Sequence, residues 1–337
     1  MLDVVRFIAA FGIIVLHVAP LAQGTAWLGP LGRFAVPFFT TMAVVLAVDG
    51  CRRHPATKFG AYVVSRLFRI YVPFLIWTVL YIVLRDLKYH YYSHQASVPL
   101  EWSLLLVGSA HHLWFLPFIF LATFSAFWAA KFLLLRLPAV PVLAVMSCVG
   151  ALVVVVSSPQ AITASASDDG LNLGYFAVRA LNMLPAAFLG LGLGRVWQEL
   201  CASPQRKRLA WLGLAIGVLA LALGPAFNHT LWLQHLAGFG AVMFALGPWH
   251  NAITAVLAGW GKSAYGIYLA HVFWYLALAM CCSKLHIPLN PVSVFGLMAS
   301  TLVLSTLSSV LLGRFQFTAW IVGNTAPKRI IEPAAAS

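Results

Sequence analysis

The sequence predicts an all-α integral membrane protein, a bundle of about ten transmembrane helices with both termini cytoplasmic. Three observations predict it. Apolar residues make up 62% of the 337 and charged residues only 9%, with a mean hydropathy of +0.91, and such a composition cannot cover a water-soluble surface. Ten apolar runs are long enough to cross a hydrocarbon layer of ~30 Å as helices. The basic residues alternate in density from link to link, which sets an orientation.

The runs fall at about 2–21, 34–50, 62–84, 112–135, 139–157, 174–196, 209–225, 231–248, 264–282 and 292–313. With the N-terminus inside, only Arg33, Arg85, Lys88, Arg179 and Lys284 of the 21 Lys and Arg lie outside. The other sixteen lie on the cytoplasmic side, so the positive-inside rule places both termini there. The net charge of +13 therefore reads as topology signalling and contact with anionic lipid, not as a nucleic-acid surface. Residues 1–325 form one transmembrane domain, and 326–337 are expected to be a disordered cytoplasmic tail. A cleaved signal peptide over residues 1–22 is the alternative for the first run, but such a segment has no need of His17. Cys51, Cys148, Cys201, Cys281 and Cys282 show no metal-ligand spacing and imply no disulfide framework.

The first run is the most informative. It carries Asp3, Arg6 and His17, and with ten residues between Arg6 and His17 a helix places the imidazole ~16 Å deeper along its axis. An ionisable group at that depth faces the bundle interior or a water-filled cavity and marks a functional site, unless it only hydrogen-bonds to another helix. Asp3 and Arg6 stand i, i+3, which suits an ion pair.

A basic segment, Arg52, Arg53, Lys58, Arg66 and Arg69, leads into the third run. Arg66 and Arg69 share one face of an α-helix, so two guanidinium groups can converge on one anion such as the phosphates of coenzyme A. Lipid contact and topology explain the rest of the segment without asking for an Arg-x-x-Arg pair.

Further along, Lys88, Tyr89, His90, Tyr91, Tyr92, His94, Glu101 and Trp102 offer rings and polar groups for a sugar, although an interfacial aromatic belt is the commoner use of such residues. His111-His112-Leu-Trp114-Phe115 opens the fourth run, where vicinal histidines suggest a metal only if further ligands join them. The link 158–173, with Ser165, Ser167, Asp168, Asp169 and Gly170, reads as a solvated loop. His235 lies mid-run and is explained as well by a hydrogen bond to a neighbour as by chemistry. Ser263-Ala-Tyr-Gly-Ile-Tyr268-Leu-Ala-His271 opens the ninth run, with Tyr268 and His271 at i, i+3, and His271 can face His17 across the bundle.

Taken together, these pieces resemble the acyltransferase-3 family of integral membrane proteins, which includes bacterial O-acetyltransferases of cell-surface polysaccharides. The resemblance rests on Leu2-Asp3-Val-Val-Arg6 with Arg6-x10-His17, on Arg66-x-x-Arg69, on His112-Leu-Trp114-Phe115-Leu116 and on Ser263 to His271. In the second run Pro37-Phe38-Phe39-Thr40-Thr41-Met42 stands where the family has Phe-Phe-x-x-Ser-Gly.

The resemblance implies a multi-pass protein of the cell inner membrane. It would transfer an acyl group, usually acetyl from acetyl-coenzyme A, to a hydroxyl of a sugar or glycan, with no metal and no permanently bound cofactor. It also implies catalytic roles for His17 and Arg6 and coenzyme binding by Arg66 and Arg69, with Asp3, His112, Trp114, Ser263, Tyr268 and His271 in support. The bilayer, acyl-coenzyme A and the glycan acceptor are the expected partners, and nucleic acid is not. Two other classes use the same residues. A polysaccharide exporter or permease would run a proton relay through the buried histidines, and a redox subunit would hold a cofactor on His17, His235 and His271.

Overall fold

The computed structural model describes residues 1–88, 101–156, 172–227 and 231–323. Those residues form helices and no strand. Helix α1 (Leu2–Val18) runs into a 3-10 stretch, Gln23–Phe34, followed by α2 (Ala35–Arg53). Then come α3 (Phe59–Arg66), a π turn (Leu67–Tyr71), α4 (Val72–Lys88), α5 (Leu104–Val107), α6 (Phe115–Phe132) and α7 (Ala139–Val156). The second half holds α8 (Leu173–Ala202), α9 (Arg206–Leu223), α10 (Leu231–Phe244), α11 (Ala252–Gly261), α12 (Ala264–Lys284) and α13 (Pro291–Arg314).

Among the described residues eight helices are long and apolar enough to span a membrane. Each of the ten runs read from the sequence is helical, but two fall short as spans. Helix α9 opens on three consecutive cations, Arg206, Lys207 and Arg208, and α10 has only 14 residues. The two pack on each other along their length. Helix α11, also short, is absent from the reading of apolar runs. Its signal is local, a capping box in which Asn251 accepts from the Thr254 amide at 2.8 Å while the Thr254 hydroxyl accepts from the Asn251 amide at 2.9 Å. The tail 326–337, the aromatic stretch 89–94 and most of the link 158–173 lie outside the described residues.

Helix α1 is central. The 3-10 stretch, α2, α11, α12 and α13 all pack against it, and Ala9, Ile14 and Val18 are fully buried. Two glycines set how close its neighbours come. A Cβ on Gly32 would fall on the carbonyl of Gly12, so the 3-10 stretch touches α1 backbone to backbone. A Cβ on Gly261 would likewise fall on the carbonyl of Asp3, which seats α11 beside the start of α1. Helix α2 packs on α8, where the Thr41 hydroxyl donates to the Ala186 carbonyl at 3.1 Å. Met42 and Ala43 stand where the Ser-Gly pair is expected in helix two, and Thr41 beside them serves that helix contact.

The basic segment divides into two kinds. Arg52 makes a two-pronged pair with Glu199 at 2.8 and 2.9 Å, and Arg53 pairs with Asp49 at 2.9 Å. Arg66 and Arg69 have no acidic partner among the described residues. The five cysteines are free thiols.

Candidate functional site

Helix α1 connects two polar groupings, one at each end. At its start Arg6 donates to Asp3 at 2.7 Å, the i, i+3 pair that the spacing predicts. Arg69 lies within electrostatic range of Arg6, Arg66 and Tyr265, so three guanidinium groups gather at this end. Arg66 sits over the Tyr62 ring, 4.9 Å from its centroid, and Tyr62 stacks on Phe127 at 3.9 Å and 11°. That stacking aims the side chain.

The sequence places Arg66 and Arg69 on one α-helical face, and the structure changes this. The π turn begins at Leu67, between the two arginines, so α-helical i, i+3 geometry does not apply to the pair. Single π turns inside helices recur at functional sites because they re-aim side chains. This one is held by tertiary contacts. The Tyr265 hydroxyl donates to the Ile70 carbonyl at 3.3 Å, and the Tyr71 hydroxyl donates to the Leu105 carbonyl at 3.0 Å.

At the other end of α1 lies a cluster of three imidazoles. His17 and His271 have ring centroids 5.3 Å apart, and His112 and His271 are 4.9 Å apart. His271 is fully buried and His112 nearly so, whereas His17 keeps partial exposure. Tyr275 lies parallel to His17 at 6.5 Å, and Tyr81 meets His112 edge-on at 5.5 Å. His271 Nδ1 is 2.7 Å from the Tyr268 carbonyl, an acceptor only. Nδ1 therefore carries the proton, and Nε2 presents a free lone pair. Among the described residues, neither that Nε2 nor either His112 nitrogen meets a hydrogen-bond partner in good geometry.

Two tyrosines hold this cluster together. The Tyr268 hydroxyl donates to the His112 carbonyl. The Tyr81 hydroxyl donates to the Leu269 carbonyl at 3.0 Å and accepts the Phe273 amide at 3.0 Å, which ties α4 to the middle of α12. The Tyr81 and Tyr268 hydroxyls are matched to backbone groups, whereas both His112 nitrogens and His271 Nε2 are left over. Unpaired buried polar atoms are costly, so a cluster of them marks a place built for a ligand or a proton.

The other sequence candidates scatter. Trp114 is buried against Phe115 and Phe118 and lines the core. Ser263 lies two turns before His271, where its carbonyl accepts from Ser309 at 3.4 Å. His235 Nε2 donates to the Asn182 carbonyl at 2.8 Å, the hydrogen bond to a neighbour that its mid-run position allows. The vicinal histidines diverge, His112 turning into the cluster and His111 lying exposed, 6.4 Å from the Tyr175 ring. Among the described residues no three His, Cys, Asp or Glu side chains are placed to hold a metal ion.

Sequence reasoning missed Tyr81, Tyr275 and Tyr175, whose roles depend on tertiary placement. It treated Arg33 and Arg179 only as topology charges. Both were detectable as cations on the side that the predicted orientation leaves poor in basic residues.

A family model described as an acyltransferase domain matches residues 1–310 of the chain. No curated protein and no solved structure matches.

Proposed function

From its membership of the acyltransferase-3 family, which makes the chain a membrane acyltransferase, we propose that it moves an acyl group, acetyl first among them, from acyl-coenzyme A to a hydroxyl of a cell-surface sugar or glycan, at the cell inner membrane. The observation that carries this reading is the pairing on α1 of a cationic grouping at one end with an imidazole cluster at the other, ~16 Å away by helical rise. Coenzyme phosphates need cations, and the thioester lies at the far end of an extended pantetheine arm.

In this reading Arg66 and Arg69 hold the phosphates, and Arg6, steadied by Asp3, joins them or orients the arm. His17 is the imidazole with partial exposure, so it is the one that reaches the reacting atoms. Its free nitrogen takes the proton of the acceptor hydroxyl as that oxygen attacks the thioester carbonyl. The tetrahedral intermediate collapses with cleavage of the C–S bond. The leaving thiolate takes the proton back from His17, giving the sugar ester and coenzyme A. His271 and His112, buried beside His17, position it and keep the site dry. Trp114 and Ser263 support the surrounding packing.

The test is release of coenzyme A by purified protein in nanodiscs, given acetyl-coenzyme A with a panel of glycans. Acceptor-dependent release that disappears in His17→Ala supports the reading. Well-folded protein that neither binds nor turns over acetyl-coenzyme A overturns it and favours an exporter.

A further inference from the structure

Beyond the imidazole cluster, at the end of the bundle away from Arg6, the side chains form a ladder leading outward. Asn172 caps α8 by accepting the Tyr175 amide at 2.9 Å, which fixes Tyr175 and Arg179 at i, i+4 on one face. The Arg179 guanidinium sits 5.1 Å from the centroid of the Tyr175 ring, and the Tyr175 hydroxyl donates to the His111 carbonyl at 3.0 Å. His111 adjoins His112, whose ring touches His271. Arg33, from the 3-10 stretch packed on α1, lies within electrostatic range of Arg179, and so does His17.

Arg33 and Arg179 are both exposed, and neither has an acidic partner among the described residues. Two guanidinium groups brought together repel each other. Both are also among the five basic residues that the predicted orientation leaves on the side poor in basic charge, and they come from two separate elements, the 3-10 stretch and α8. Topology signalling does not account for this placement. A bound anion does, because guanidinium recognises carboxylate and phosphate by paired hydrogen bonds.

We propose that Arg33 and Arg179, with Tyr175 as a stacking platform, bind an anionic group on the acyl acceptor, so that the acceptor is an acidic glycan bearing a carboxylate or phosphate near the hydroxyl presented to His17. This deepens the acyl-transfer reading and rests on it. Tyr175 supplies the aromatic face on which a sugar ring stacks, and Arg179 is already braced against that face. Head-group phosphate of the outer leaflet shares the same chemistry, so the test separates the two sources.

Protein in phosphatidylcholine nanodiscs, with its coenzyme site saturated by coenzyme A, is titrated with methyl glucuronide and with methyl glucoside, and binding is read by calorimetry. The expected result is that the glucuronide binds at least about tenfold more tightly, and that Arg179→Gln and Arg33→Gln each abolish this preference, in line with loss of a charge-assisted hydrogen bond. Both variants keep coenzyme A affinity. Acyl transfer to the glucuronide then exceeds transfer to the glucoside by a similar factor. Equal responses to the two glycosides, including none to either, overturn the proposal, as does a preference that survives in both variants. A glucuronide preference that appears in phosphatidylcholine and vanishes in phosphatidylglycerol discs means that lipid is the natural anion, and this too overturns it. Glucuronide binding without coenzyme A release from any acceptor defeats the acyl-transfer reading and leaves the anion site standing.

Discussion

His17 and His271 come from opposite ends of the sequence and face each other at 5.3 Å between ring centroids. One is partly exposed and the other fully buried with its tautomer fixed. That asymmetry assigns different roles to two chemically identical groups, and the first two predictions test it.

His17→Ala should lower kcat for acyl transfer by about 10²- to 10⁴-fold, the usual contribution of a positioned base, while leaving KM for acyl-coenzyme A nearly unchanged. Steady-state coenzyme A release measures both. Wild-type turnover in the variant would remove His17 from the chemistry.

His271→Asn keeps a polar side chain at a fully buried position, and kcat should fall less, by about 10- to 100-fold, as expected when a catalytic group is misplaced by an ångström or so. A positioning role also shifts the pH–rate profile, because His17 loses its neighbour. An unchanged profile with full activity would reduce His271 to core packing.

Arg66→Gln and Arg69→Gln should each weaken acyl-coenzyme A binding by about 10- to 100-fold, matching the ~1.5–3 kcal/mol of a hydrogen bond to a charged group. Acetyl-pantetheine, which lacks the nucleotide phosphates, provides the control. Its turnover should be insensitive to either change, and equal losses on both donors would contradict phosphate recognition.

Gly261→Ala drives a Cβ into the Asp3 carbonyl and should destabilise the protein by about 1–3 kcal/mol, the range for overpacking. Gly259, two residues away on the same helix, has open space around its Cβ. There the same substitution should be neutral or stabilising by up to about 1 kcal/mol through helix propensity. Chemical denaturation in detergent reads both, and equal effects would mean that α11 does not seat on α1 as described.

Much of the membrane architecture was legible in the sequence, because lipid leaves a chain few options. Apolar runs of sufficient length must be helices, since no other open structure satisfies its own backbone there. The boundaries of α7, α12 and α13 lie within two residues of the runs that predict them. Hydropathy was less informative about α11, a short helix whose start is written in a capping box and not in its length.

For the site, the sequence by itself determined which residues were costly to bury, namely Arg6, His17, Arg66, Arg69, His112, His235 and His271, and which cations the predicted orientation disfavours, Arg33 and Arg179 among them. It could do so because the penalty for a polar group in hydrocarbon is a property of the residue and its depth. Only the tertiary structure decided which of these act together. His17, His112 and His271 cluster while His235 bonds elsewhere, a π turn re-aims Arg69 relative to Arg66, and Arg33 and Arg179 lie within electrostatic range of each other. Helical periodicity fixes where a side chain points on its own helix, but rotation of that helix against its neighbours is set by packing contacts such as Gly12 on Gly32, and these join segments that no local pattern relates.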